Sequence, residues 1–213
     1  MNRPLPDRGT SRPATAQAPD TIAAEKSGLR AIVRQRLAAL APSHRESQSQ
    51  RIQSRLAASP DWQRAQLILG FASLPDEPSL LPFLLDQAKA GQPIALPRWD
   101  PTLNEYRPAR LVPGAELTPG PFKVWEPPAD APAASFEQLD LVLVPGLAFD
   151  RSGRRLGRGK GYFDRLLART PCARRWGVAF DVQIVDRVPA APHDLNVHLL
   201  VTAGLWWPVI PAD

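Results

Sequence analysis

The chain has a single cysteine, Cys172, among its 213 residues. One thiol closes no internal disulfide, and no Cys/His cluster has zinc-ligand spacing, so a reducing compartment is expected and a structural zinc site is not. Cys172 follows Pro171 just past an expected helix end with no identified base, which suits an ordinary small residue rather than a nucleophile. Long apolar runs are also missing. No stretch reaches the roughly 18 apolar residues of a membrane span, and no apolar segment of signal-peptide type follows the N-terminal arginines. A cytoplasmic protein is the expectation. No Ser-His-Asp or Cys-His constellation and no internal repeat can be read either.

What is present is material for a core and a surplus of positive charge. Hydrophobic residues make up 44% of the chain, and the length suits one domain with at most a small appendage. A net charge of +5 and a pI of about 10.0 favour anionic partners, whether nucleotides, polyanionic cofactors or nucleic acid. Pro4, Pro6, Pro13 and Pro19 lie among polar and small residues without apolar periodicity. Residues 1–21 therefore read as a disordered tail and 22–213 as the folded domain.

Within that domain, Leu29, Ile32, Val33, Leu37 and Leu40 form a stripe of i, i+3, i+4 type that predicts an amphipathic helix ending at Pro42, with Lys26, Arg30 and Arg34 on its flanks. Ser43 to Glu46 has capping-box spacing, so a second and mostly polar helix is expected to start there and run to Ser59-Pro60. Residues 67–73 form a buried-strand candidate, 80–90 a helix closed by Gly91, and 94–97 a second strand. This β, α, β order predicts a right-handed crossover and a parallel sheet. Further strands are expected over 106–112, 175–180 and 197–202. Residues 113–132 are a proline-rich connection without a readable pattern, and Trp206-Trp207-Pro208 reads as a tail.

Residues 139–168 organise the rest. An apolar run over 139–145 has the length and β-branched content of a strand buried on both faces, followed by a loop and a helix predicted over 162–169. In the loop Gly153, Gly157, Gly159 and Gly161 permit close backbone approach, while Arg154, Arg155, Arg158 and Lys160 stand between and beside them. Backbone N–H groups, cationic side chains and the helix start together form a phosphate cradle. The bland alternative is a basic, solvated hairpin loop. The pattern is not a P-loop, because Lys160 is followed by Gly161 and Arg occupies position 154 where that motif begins. It is not the dinucleotide fingerprint either, since the glycines alternate at 157, 159 and 161. Asp164, at the opening of the helix, offers a magnesium ligand in a place where a carboxylate also suits the helix dipole.

Pro145-Gly146-Leu147-Ala148-Phe149-Asp150, followed by Arg155-Leu156-Gly157-Arg158-Gly159-Lys160-Gly161-Tyr162-Phe163-Asp164, resembles the core motif of the 5-formyltetrahydrofolate cyclo-ligase family, the methenyltetrahydrofolate synthetases. Lys26-Ser27-Gly28-Leu29-Arg30, Ala95-Leu96-Pro97-Arg98, Gly177-Val178-Ala179-Phe180, Gln183, Pro189 and His193-Asp194 are similar to further family segments, in order. The resemblance spans roughly residues 25–202. It implies an α/β three-layer sandwich with a mixed, largely parallel central sheet flanked by helices. It also implies ATP- and Mg²⁺-dependent closure of 5-formyltetrahydrofolate to 5,10-methenyltetrahydrofolate, with ADP and phosphate released.

Carried onto these positions, the resemblance places Lys26, Arg30, Arg155, Leu156, Gly157, Arg158, Gly159, Lys160, Gly161 and Tyr162 on ATP. It places Leu74, Glu77 and the stretch Gly159, Lys160, Gly161 and Tyr162 on the folate, Arg158 or Lys160 on the charge that develops, and Asp164 and Asp194 on magnesium. The sequence departs from the family at Ser79 and Leu80, where an acidic residue and a threonine are usual, and at His198 and Ala203, where acidic residues are frequent. His198 is expected to be structural. Arg98 and Arg107 are equally readable as contacts for glutamate carboxylates, should the folate be polyglutamylated, and as surface charges.

Two rivals stand beside this reading. Another ATP-dependent ligase or small-molecule kinase on the same scaffold would share Lys26, Arg158, Lys160 and Asp164. A basic RNA-binding module would account for the charge and the six tryptophans, although these are scattered and form no stacking series. The expected partner is the folate, with no membrane and no nucleic acid, and the chain is expected to act as a monomer.

Overall fold

The side chains of residues 141–144 are all buried, and they alternate. Leu141 and Leu143 enter one hydrophobic cluster while Val142 and Val144 enter another on the opposite face. A strand with two buried faces needs cover on both sides, and that requirement generates the architecture. The computed structural model describes residues 19–191 and 194–210. Its helices are α1 (Pro19–Ala39), α2 (Pro42–Ala58), α3 (Pro60–Arg64), α4 (Leu81–Lys89) and α5 (Tyr162–Ala168). Its strands are β1 (Ile68–Leu69), β2 (Ile94–Asp100), β3 (Glu105–Arg110), β4 (Thr118–Pro119), β5 (Trp125–Glu126), β6 (Leu141–Val144), β7 (Ala148–Asp150), β8 (Arg155–Leu156), β9 (Arg174–Val178), β10 (Ile184–Val185), β11 (Leu199–Val201) and β12 (Trp206–Pro208).

The central sheet has the order β12-β11-β9-β6-β1-β2-β3. Strands β11, β9, β6, β1 and β2 are parallel, and only the two edge strands run antiparallel to their neighbours. Ile52 and Leu56 of α2, Trp62 of α3 and Leu84 of α4 cover one face; Leu166 and Leu167 of α5, with Phe136, cover the other. The expected three-layer α/β sandwich with a mixed, largely parallel sheet is what the chain adopts.

A second small sheet, β10-β7-β8, lies beneath α1, whose Val33 and Leu37 pack on Leu147, Ala148, Leu156 and Phe180. It corrects the expectation of an uninterrupted loop after β6. The first half of that loop is a hairpin turned at Gly153, where φ is +78° and an added Cβ would lie 2.4 Å from the Val197 carbonyl oxygen. Asp150 braces the turn, its Oδ1 accepting from the Ser152 and Arg154 N–H groups and its Oδ2 from Val188 N–H at 2.8 Å. Turn chemistry was visible in Asp150-Arg151-Ser152-Gly153, but short strands of mixed polarity carry no periodic signal.

Other expectations shift locally. The disordered tail expected over 1–21 lies outside the described residues up to position 18, and Pro19 already belongs to α1. The capping box at Ser43 to Glu46 does not form: α2 starts at Pro42 with Ala41 as its N-cap and no side-chain cap. Proline at the first helical position has φ preset and brings no N–H to satisfy, so it outcompetes the serine for the start. Arg45 turns back instead, donating to the Leu40 and Leu37 carbonyls at the end of α1 and to Pro75 O at 2.9 Å. Trp206-Trp207-Pro208, read as a tail, is the edge strand β12, with Trp206 against Trp176 at 5.3 Å. Trp62 and Trp176 are core residues and offer no stacking surface.

Candidate active site

The second half of the glycine loop, 157–161, leaves β8 and enters α5 beside the C-terminal end of β6. Gly159 (φ +100°) and Gly161 (φ +69°, at the N-cap of α5) occupy the left-handed region that L-residues resist. Two flanking elements hold the loop. Arg30 of α1 donates from Nε to the Gly157 carbonyl at 3.0 Å, and Arg158 reaches the turn at 74–77 that follows β1. An alanine at 159 meets no atom nearer than 3.7 Å, so its only obstacle is the backbone conformation. Gly159→Ala is expected to cost about 1 to 2 kcal/mol in strain or to relax the loop. Turnover should fall more than thermal stability, as steady-state rates set beside melting curves will show.

The loop closes one side of a cavity of about 370 Å³. Arg155, Gly157, Arg158, Lys160, Gly161, Tyr162 and Asp164 line that side; Leu74 and Glu77 line another. Beside the loop the lining is apolar and aromatic, with Tyr106, Phe122 and Tyr162. Tyr162 sits 4.8 Å from Phe122 and 5.7 Å from Tyr106 between ring centroids, and Trp99, 5.6 Å from Tyr162, packs against these rings. The cavity therefore sets cations suited to phosphate beside rings suited to a flat heterocycle. A second cavity, about 580 Å³, lies on the α2 side of the 74–77 turn and shares Leu74 and Glu77 with the first, but its walls are polar α2 side chains and it holds none of the glycine loop.

The cations are not all equally available. Lys160 is exposed, its Nζ 4.5 Å above the Phe122 ring. Arg155 is 5% exposed in its side chain; it donates to Pro145 O at 3.1 Å and makes a short charge-assisted contact with Asp164 Oδ1. Arg158 is shared between Asp76 and Glu77. Lys26 Nζ lies 2.6 Å from Asp194 Oδ2, which also accepts from Ala191 N–H. Leu156 departs most from expectation: its side chain is 1% exposed in the core under α1, so only its main chain borders the loop. Asp164 and Asp194, both expected on magnesium, belong to separate ion pairs, and only Asp164 lines the cavity.

Among the described residues no group of three or more His, Cys, Asp or Glu side chains forms a metal cage. Magnesium does not require one, since it is commonly held by one or two carboxylates and completed by phosphate oxygens and water. Asp164, which lines the cavity with its side chain 56% exposed, fits that donor set.

Two buried carboxyls shape the electrostatics. Burial pushes the Glu77 carboxyl above the ordinary carboxylate range, against the pull of the Arg158 guanidinium. Burial also raises Glu126, whose Oε2 accepts from Trp99 N–H at 3.0 Å and which binds the Tyr106 hydroxyl, while its Oε1 has no partner. Tyr106 is raised in turn, by burial and by Glu126. A carboxyl raised in the folded state binds its proton more readily there than in the unfolded chain. Its stabilising effect is complete below the unfolded pKa and is lost as pH rises through the folded one. Glu126→Gln should therefore flatten the stability-pH curve just above the ordinary carboxylate range and leave neutral-pH stability equal or higher. Denaturant titrations across that range measure it.

His198 is structural, as expected. Its Nδ1 accepts from Arg175 N–H at 3.1 Å, and burial with the neighbouring Arg175 and Arg174 lowers its pKa. Arg98 donates to the carbonyls of Pro128, Ala129 and Ala131, and Arg107 pairs with Glu105 and lies over Phe136, so both serve the fold. Leu80 is fully buried and faces the core, which explains an apolar residue there. His193 lies outside the described residues.

Sequence reading missed Asp76, Arg34 and the aromatic wall. Asp76 stood in a legible Pro75-Asp76 turn, next to a residue already singled out. The wall could not be found, because Phe122 and Lys123 take positive φ without glycine and so leave no local signature.

The fold is α/β, with a glycine-rich cationic loop beside the C-terminal end of a central parallel strand and aromatic side chains lining the same cavity. Residues 22–203 match the model of the 5-formyltetrahydrofolate cyclo-ligase family, and the chain belongs to that family. It is 34% identical over 190 residues to the 5-formyltetrahydrofolate cyclo-ligase of Mus musculus, covering 83% of this chain and 93% of that one. It is 28% identical over 184 residues to the cyclo-ligase of Escherichia coli K12, covering 83% and 99% respectively. Among solved structures it is similar to the 5,10-methenyltetrahydrofolate synthetase of Aquifex aeolicus, with a TM-score of 0.79 and 31% identity over 88% of this chain and 94% of that one.

Proposed function

We propose that this protein closes 5-formyltetrahydrofolate to 5,10-methenyltetrahydrofolate at the expense of ATP, releasing ADP and phosphate. The observation that supports the reading is a single cavity lined both by Arg158 and Lys160 of the glycine loop and by the rings of Tyr106, Phe122 and Tyr162.

The chemistry needs both kinds of lining. A formamide is a poor electrophile, and oxide does not leave near neutral pH. Transfer of the terminal phosphoryl group of ATP to the formyl oxygen activates the carbon and creates a leaving group. N10 then attacks that carbon and gives up its proton to water or to the phosphate, the C–O bond breaks and phosphate departs. No protein nucleophile is required, so the chain's task is to orient the reactants and stabilise charge.

Lys160, exposed and lining the cavity, would meet the negative charge on the transferring group. Main-chain N–H groups of 157–161 would support the phosphates, and Lys26 and Arg30 on α1 would take the nucleotide. Tyr106, Phe122 and Tyr162 would stack around the pterin, with Trp99 packed against them and Leu74 and Glu77 at its edge. Magnesium would neutralise phosphate charge, held by Asp164 and, if α1 releases it from Lys26, by Asp194. Incubating the purified protein with Mg-ATP and 5-formyltetrahydrofolate, and following methenyl absorbance, tests the reading. Product formed only when ATP is present supports it; ATP consumption without methenyl product favours a related ligase or kinase on the same scaffold.

A further inference from the structure

Arg158 has two hydrogen-bonding edges, and carboxylates occupy both. Along one edge Nε and one terminal nitrogen lie 3.1 and 3.0 Å from Glu77 Oε1. Along the terminal fork the two nitrogens face the two oxygens of Asp76, at 3.1 and 2.6 Å.

These two partners are not equivalent. Glu77 is 6% exposed in its side chain, and its Oε2 is held by the Leu74 N–H at 3.0 Å. Separating it from Arg158 strands a desolvated charge in the cavity wall, the costly way to break a buried pair. The Asp76 side chain is 32% exposed, so water takes it back readily. The Glu77 edge is therefore the fixed one and the Asp76 edge the exchangeable one. A guanidinium fork that fits a carboxylate with two parallel bonds fits two phosphate oxygens in the same way. Arg158 also stands between Gly157 and the positive-φ Gly159, where the backbone does little to hold the side chain. Its direction is set by whichever anion takes the fork.

We propose that Asp76 is an affinity-setting residue that occupies the terminal fork of Arg158 and competes for it with the phosphate group the cavity receives. This rests on the nucleotide reading above. Arriving phosphate displaces Asp76 into solvent while Arg158 pivots on Glu77. Asp76 thereby weakens nucleotide binding and fills the fork when the cavity is empty.

The test is the dissociation constant of Mg-ATP, measured by calorimetry without folate, for the wild type, Asp76→Asn, Arg158→Lys and the double variant, with melting curves for each. Asp76→Asn is expected to bind about fivefold more tightly, the worth of a partly exposed ion pair. In the Arg158→Lys background the gain should vanish, because a lysine has no fork to contest. A gain of equal size in both backgrounds is mere relief of charge repulsion and overturns the proposal. So does unchanged or weaker binding by Asp76→Asn, which makes Asp76 a brace. If Arg158→Lys does not fold, salt separates the same cases: a gain from distant repulsion disappears as salt is added, and a gain from a freed contact persists. Wild-type protein that binds no Mg-ATP overturns the nucleotide reading and this inference with it; wild-type binding without the Asp76→Asn gain overturns the inference alone.

Discussion

Lys160→Ala is expected to lower kcat by about 10² to 10³ while the protein stays folded. The two halves of that expectation have separate causes. The lysine is exposed and its one described contact is the face of Phe122, an arrangement worth about 0.5 to 1 kcal/mol at an accessible site. Its removal should hardly move the melting temperature. In the loose transition state the charge is spread over the three equatorial oxygens and the oxygens in line with them, and a cation oriented on that arrangement acts on the transition state more than on the bound reactants. KM for ATP and for the folate should change far less than kcat. Steady-state kinetics with each substrate varied in turn measure the split. Near-wild-type kcat would remove Lys160 from the chemistry and leave Arg158 as the candidate for that charge.

Asp164→Ala is expected to act twice, on stability and on the magnesium requirement. Arg155 is almost fully buried, and Asp164 is its anionic partner; the Pro145 carbonyl is the other contact. Deleting the carboxylate leaves a buried guanidinium with one neutral acceptor. That should cost about 2 to 3 kcal/mol, toward the low end for a stranded charge because the Asp164 side of the pair is open to solvent. Asp164→Asn keeps a hydrogen-bond acceptor at the same place and should recover much of the stability. If the carboxylate also meets magnesium, the amide will not restore activity, and the magnesium concentration for half-maximal rate will rise in both variants. Denaturant unfolding and magnesium titrations of the two variants separate these roles. Full activity in Asp164→Asn would confine the residue to holding Arg155.

Some of this was legible beforehand because its cause is local. Within 139–145 the residues after Asp140, Leu141 to Val144, had to be a strand buried on both sides: they are apolar without alternation, and proline and glycine end them. The helix after the glycines began at Tyr162 as expected, since no glycine or proline interrupts 162–168. Order of elements sufficed for a parallel sheet. The helix at 42 shows the limit of local reading: serine and proline both offered a start, and spacing alone could not rank them.

The sequence by itself determined the layered α/β plan and the glycine-rich cationic stretch proposed to receive an anion, because periodicity, glycine placement and charge are properties of neighbouring residues. Tertiary structure decided which of those charges are available. Arg155 and Arg158 look alike beside the same glycines. Yet one is buried against Asp164 and the other is divided between Asp76 and Glu77, more than 80 positions away along the chain. The aromatic cluster of Trp99, Tyr106, Phe122 and Tyr162 is likewise assembled from separate segments. Ion pairing and desolvation depend on distances through space, and the chain writes only distances along itself.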